Sequence, residues 1–275
     1  MQNITDTTPT SGPTSGPTSG PTFGHALRDW RRRRRLSQMD LAIEADISTR
    51  HLSFLETGRA RPSREMVLNL AERLEVPMRE RNALLSLAGF AAVHAERALD
   101  APDMAVARAA IERLLKAHEP YPALAVDRGW NLVMANAAVG PLLAGAAPHL
   151  LEGPINVLRL SLHPEGLAPR IRNLPEWRAH ALERLRAQFA ASADPGILAL
   201  LDELWAYPAP LGPRAHPAPG SAIATPLVLD GPDGPLSFLT TTTVFGTPLD
   251  VTLSEIAIES FFPADEATAR ALGGR

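Results

Sequence analysis

Residues 36–56, LSQMDLAIEADISTRHLSFLE, carry apolar side chains at Leu41, Ala42, Ala45, Ile47, Leu52 and Leu55, a spacing that makes helical stripes on either side of a short break. The break is Asp46-Ile47-Ser48, where the Ser48 hydroxyl is placed to accept from the first free N–H groups of the second helix. Aspartate tolerates the left-handed backbone such a turn needs better than most residues. Gly58, just past Leu55-Glu56, suits a left-handed helix stop. The segment therefore predicts two short helices locked at a fixed angle, a helix-turn-helix, which is a shape able to push its second helix into a DNA major groove.

The flanking sequence extends this unit to five helices, at about 24–35, 37–45, 49–56, 63–74 and 77–88, the last with Pro77 in its first turn and Gly89 at its end. Residues 24–90 hold 13 Arg and Lys against 9 Asp and Glu, while 91–275 hold 14 against 20. The overall charge of −3 thus hides a basic small domain beside an acidic larger one, which suits a polyanion-binding head on a body that stays off the DNA. Before the head, residues 1–23 repeat TSGP three times; proline at every fourth position blocks helices and ladders, so a disordered tail is expected.

On a groove-bound second helix, Leu52 and Leu55 must face inward, leaving Thr49, Arg50, Ser53 and Phe54 nearer the bases. Arg50 suits a bidentate contact to guanine and Thr49 a base edge or thymine methyl; Phe54 offers only apolar contact, to thymine or to another part of the protein. Gln38, His51, Arg59, Arg61 and Arg64 are the candidates for phosphate, setting affinity and register without carrying sequence information. The run Arg31 to Arg35 points all round a helix, so its members cannot all meet DNA. Arg31 is expected to pair instead with Glu56, the acid closing the recognition helix.

After a helical connector at 91–118, the texture changes. PALAVD and WNLVMAN flank Asp127-Arg128-Gly129, a hairpin signal; helical stretches follow at 136–144, 154–162 and 174–206, the last broken at Asp194-Pro195-Gly196. AIATPLVLD, GPLSFLTTTTVF and DVTLSEIAIESFFP then read as strands, supported by their β-branched content. Strands, helices, then strands describe an α+β domain over 119–265 with an antiparallel sheet, for which a PAS-like shape is an economical assembly. Residues 266–275 are expected to be a tail. Sheets with helices over one face leave apolar cavities. Trp130, Phe238, Leu239 and Phe245 are candidate walls, and Arg172, Trp177 and His180 candidate groups at a mouth.

The absence of cysteine excludes disulfides, thiolate metal sites and a cysteine nucleophile. No signal segment or long apolar run is present, so a soluble cytoplasmic protein is expected. His149, His163, His180 and His216 lack metal-ligand spacing, and Ser161 and Ser237 lack nucleophile-elbow glycines, so neither a metal nor catalysis is expected.

Leu36-Ser37-Gln38, Leu41-Ala42, Ile47-Ser48, Leu52, Leu55-Glu56, Gly58 and Pro62-Ser63, in that order and spacing, resemble the Cro- and lambda-repressor-like (XRE-type) helix-turn-helix family. Asp46 departs from the glycine usual in that turn. The string from Ser48 to Leu85 is similar to a bacterial branch whose head is joined to an MmyB-like, PAS-like ligand-binding domain, and LHPEGLAPRIRNLPEWRAHALERLRAQ at 162–188 resembles that second domain. The resemblance implies a transcription regulator accommodating a small apolar or fatty-acid-like molecule and needing no cofactor. Specific sites usually need two heads, so a homodimer is expected. Two alternatives stay open: a body that only dimerises or binds a partner protein, and a scaffold that has lost DNA binding.

Overall fold

The computed structural model describes residues 21–208 and 225–273; the TSGP repeats up to residue 20 lie outside them, as do His216 and the first residues of the AIATPLVLD segment. The head consists of α1 (Phe23–Arg33), α2 (Gln38–Glu44), α3 (Thr49–Glu56), α4 (Arg64–Arg73) and α5 (Met78–Leu87). Serine hydroxyls start three of them. Ser37 forms a reciprocal capping box with Asp40, Ser48 accepts from the His51 N–H, and Ser63 from the Met66 N–H. Pro77 stands at the N-cap of α5, one position before the first turn expected for it. Asp46 takes the left-handed turn conformation at φ 54°, and Gly58 stops α3 at φ 72°.

Leu27, Leu41, Leu52, Leu55, Leu70, Leu74 and Leu85 form the centre of the head, all but closed to water. A fully buried leucine contributes about 1.5–3 kcal/mol. The helices approach closely where α1 crosses α3: a Cβ on Gly24 would lie 2.6 Å from the Leu55 and Glu56 carbonyl oxygens.

The connector differs from expectation. Residues 91–101 are irregular and held back on α5 by Asn82, whose side chain bonds Val93, His94 and the His94 carbonyl. Helix α6 (Ala105–Ala117) then packs Ile111 and Leu115 onto the sheet, so it is structurally part of the body.

Five antiparallel strands make that sheet: β1 (Ala123–Val126), β2 (Leu132–Ala135), β3 (Leu227–Gly231), β4 (Gly234–Val244) and β5 (Ala257–Pro263), in the order β2-β1-β5-β4-β3. Period-two alternation sorts their side chains. Ala123, Ala125 and Ile258 face α6, while Leu124, Val126, Leu236, Phe238 and Phe261 face the larger core under α7 (Val157–Leu162), α8 (Leu174–Ser192) and α9 (Pro195–Ala206). The α+β body with an antiparallel sheet is therefore the architecture the sequence predicts.

Two local expectations are corrected and one is refined. Residues 251–254 form a helical turn, α10 (Val251–Ser254), not a strand, because the Asp250 carboxylate caps it at the Thr252 N–H, 2.9 Å away. The stretch 137–143 is a 3₁₀ helix with Pro141 inside. The expected tail begins with α11 (Glu266–Ala271), whose Thr268 is wholly buried and accepts from the Ser237 N–H of β4. No helix among the described residues is long and apolar enough to cross a membrane.

Candidate functional site

Helix α3 presents Thr49 and Arg50 to solvent at its first turn, with His51, Ser53 and Phe54 half-buried behind them. The Arg50 guanidinium lies 5.3 Å from the Phe54 ring centre and that of Arg59 at 6.0 Å, so Phe54 stands between two cations. Arg59, Arg61 and Arg64 are exposed without ion-pair partners among the described residues.

Glu56 anchors the underside of α3. Its carboxylate, 2% exposed as a residue, accepts from Arg31 at 2.6 and 3.0 Å, from Gln38 at 2.8 Å and from Arg28 at 3.4 Å. Burial pushes the Glu56 carboxyl up, but the hydrogen bonds from Arg31, Gln38 and Arg28 and the charge of Arg31 outweigh it and hold it below the usual range. Arg31 also bonds the Leu36 carbonyl, fixing α1 to the start of the motif. Gln38 thus spends one amide hydrogen on Glu56. Arg34 caps the end of α4 through the Leu74 and Glu75 carbonyls, whereas Arg32, Arg33 and Arg35 are exposed.

In the body, an apolar cavity of about 90 Å³ lies between the sheet and the helices. Trp130 and Trp177 line it, with Leu124, Leu132 and Phe261 from the strands and Leu158 from α7. The Ser161, Arg184 and Glu259 side chains in its lining are already partnered. Ser161 accepts from the Trp177 indole N–H at 2.9 Å. Arg184 bonds both oxygens of the buried Glu259, at 2.8 and 3.1 Å, as well as the Thr242 hydroxyl, and its guanidinium lies 4.7 Å from the Trp130 ring centre.

The other expected cavity residues lie elsewhere. Arg172 is exposed and paired with Asp230 at 2.5 Å. His180 packs on Trp177 without lining the cavity, and burial with the nearby Arg184 charge pushes its pKa down, against the opposing charge of Glu259. Phe238 is wholly buried against Phe261, which takes the wall position. Phe245 lies past the end of β4, packed on the α6 side, and Leu239 faces outward. The residues that sequence reasoning missed, Ser161, Arg184 and Glu259, include one with a signal: Trp177, Ala181 and Arg184 recur at helical spacing on one face of α8.

Two of the scattered histidines do meet. His149, His163 and Glu165 bring one possible ligand atom each within 4.8 Å of the others. The His163 Nδ1 accepts the Glu165 N–H at 3.0 Å, which leaves the proton of a neutral ring on Nε2.

Residues 22–84 match a helix-turn-helix domain model, and residues 107–273 match the model of the MmyB-like transcription regulator ligand binding domain. The chain belongs to the MmyB-like transcription regulators. It is a DNA-binding regulator built from a helix-turn-helix head and an MmyB-like ligand-binding domain, two families of regulatory rather than enzymatic function. No curated protein matches this regulator. Among solved structures, it is similar to the clp gene regulator ClgR from Corynebacterium glutamicum, 25% identical over 36% of this chain and 90% of that one, with a TM-score of 0.22. It also matches an RNA-binding Light-Oxygen-Voltage receptor, 15% identical over 91% of this chain and 60% of that one, with a TM-score of 0.27.

Proposed function

We propose that this regulator binds specific DNA sites through α3 in the major groove and that its affinity responds to a small apolar or fatty-acid-like ligand in the Trp130–Trp177 cavity. Arg50 reads guanine, Thr49, Ser53 and Phe54 contact neighbouring bases, and His51, Arg59, Arg61 and Arg64 hold phosphates, with the second amide hydrogen of Gln38. The observation that carries the DNA reading is the exposure of Thr49 and Arg50 on a helix whose opposite side is fixed by Leu52, Leu55 and the Arg31–Glu56 pair. One head reads few base pairs, so the regulator acts as a homodimer on two half-sites.

What supports the ligand reading is an almost wholly apolar lining in which Ser161, Arg184 and Glu259 are already hydrogen-bonded within the protein. At about 90 Å³ the cavity seats a short apolar group, whereas ligand pockets commonly span ~300–1,000 Å³. A fatty-acid-like ligand therefore requires the lining to open. Native mass spectrometry before and after organic extraction tests this: an extractable adduct supports a sensor, and a clean ligand-free dimer favours a body that only dimerises.

A further inference from the structure

Helix α8 touches both functional parts of the molecule. Near its start and middle, Trp177 and Arg184 line the cavity. At its end, Phe189 lies under the Arg33 guanidinium at 5.3 Å, the Ala191 carbonyl accepts from Arg34 at 3.4 Å, and Ala193 packs against the head core. Nineteen residues of helix span about 28 Å at 1.5 Å per residue. A rigid rod of that length carries a displacement at the cavity to the surface of α1.

The same end of α8 holds a second connection. Gln188 accepts from the Trp130 indole N–H at 2.8 Å and donates to the Arg128 carbonyl at 2.6 Å. Trp130 is thus cavity wall and hydrogen-bond donor at once, in a left-handed conformation (φ 65°) that a bulky residue rarely adopts. The Arg128 side chain reaches the other way. It pairs with Glu80 of α5 at 3.0 Å, with Asp194 just past α8 at 2.6 Å, and with Glu255 just past α10 at 3.1 Å. Arg79 of α5 adds a bidentate pair with Glu255, both bonds 2.8 Å. Arg128 therefore pins one carboxylate of the head and two of the body, and without it Glu80, Asp194 and Glu255 face one another with Arg79 as the remaining cation.

We propose that α8 and the Arg128 turn form the coupling element of this regulator: displacement of Trp130 by a ligand moves Gln188 and Arg128 together and changes how the head docks on the body. The proposal rests on the reading of the cavity as the ligand site. A ligand shifts the docking only by binding the two arrangements unequally, and the Trp130–Gln188–Arg128 chain is the contact through which the inequality arises.

The cysteine-free chain suits distance measurement between spin labels, here on Glu72→Cys in the head and Asp202→Cys on α9, both exposed positions. The labelled parent should give one narrow distance. Arg128→Met and Gln188→Leu should each broaden or shift it while the helical circular dichroism is retained; if both keep the parent distribution, the proposal is wrong. Dodecanoic acid and 1-dodecanol then serve as probes, with tryptophan fluorescence reporting binding. A probe that binds should move the distance in the parent and not in Gln188→Leu. Binding with no movement in the parent overturns the coupling. Failure of both probes to bind counts against the ligand reading, while the Arg128 and Gln188 variants still decide whether the cavity wall positions the head.

Discussion

Replacing Glu56 with leucine removes the acceptor of four hydrogen bonds beneath the recognition helix, two from Arg31 and one each from Gln38 and Arg28. The Arg31 side chain is 11% exposed, so its charge is left nearly dry with only the Leu36 carbonyl to accept from it. Removing one partner of a buried pair costs about 3–5 kcal/mol, chiefly because the other charge stays buried. A head of this size has a global stability of roughly 3–10 kcal/mol, at ~0.05–0.15 kcal/mol per residue. Glu56→Leu should therefore raise the open population of the head by a factor of roughly 100 or more, since each ~1.4 kcal/mol is tenfold. Amide exchange over residues 49–56, measured in the full chain, reads this directly. Pairing the change with Arg31→Met should recover most of the loss, because an apolar pair of similar volume carries no stranded charge. Unchanged exchange in Glu56→Leu, or a double variant as labile as the single one, would refute the reasoning.

Other outcomes follow from the same geometry. Arg50→Ala should lose about 1–3 kcal/mol of discrimination at one base position, whereas Arg61→Ala should weaken all sequences alike and reduce the salt slope by ~0.9; binding titrations at several salt concentrations separate the two. Ser161→Ala strands the buried Trp177 indole N–H and should cost about 1–3 kcal/mol in urea unfolding. Gly24→Ala forces α1 away from the Leu55 and Glu56 carbonyls and should destabilise by about 1–3 kcal/mol, visible as a lower Tm. Because the folded Glu56 carboxyl is held low, its contribution is full above the ordinary glutamate value near ~4.3 and is lost as pH falls through the lowered folded value. Stability of Glu56→Gln should accordingly fall less steeply than that of the parent over that acid range.

The head was readable in detail because its signals are local. Ser48, the stripe Leu52–Leu55 and Gly58 fix the bounds of α3 within a few residues of one another, and α3 runs from Thr49 to Glu56 as the spacing predicts. The sheet was readable in kind, but its edges depended on caps: Asp250 and Asp265 each start a helix where hydropathy alone suggested strand or tail. The cavity was the least legible part. Phe238 and Phe245 differ by an odd number of residues, so one strand cannot present both to one face. The residues that surround the empty space come from eight separate helices and strands, and only their packing decides which tryptophan meets which serine. Arg128 lay inside a recognised turn, yet its partners Glu80, Asp194 and Glu255 are distant in sequence.

The strand order has a consequence for how the chain is made. β5 sits between β1 and β4, so the middle of the sheet is filled by residues 257–263, which are made after every other strand. Until they emerge, β1 and β4 have no common neighbour and the cavity lacks Glu259 and Phe261. The buried core of the head lies within residues 23–85 and can fold long before then, as low-contact-order helical units do. Synthesis should thus yield a folded helix-turn-helix head before the ligand-binding domain can close, and a message cut short before codon 257 should encode a folded head attached to a body that cannot close.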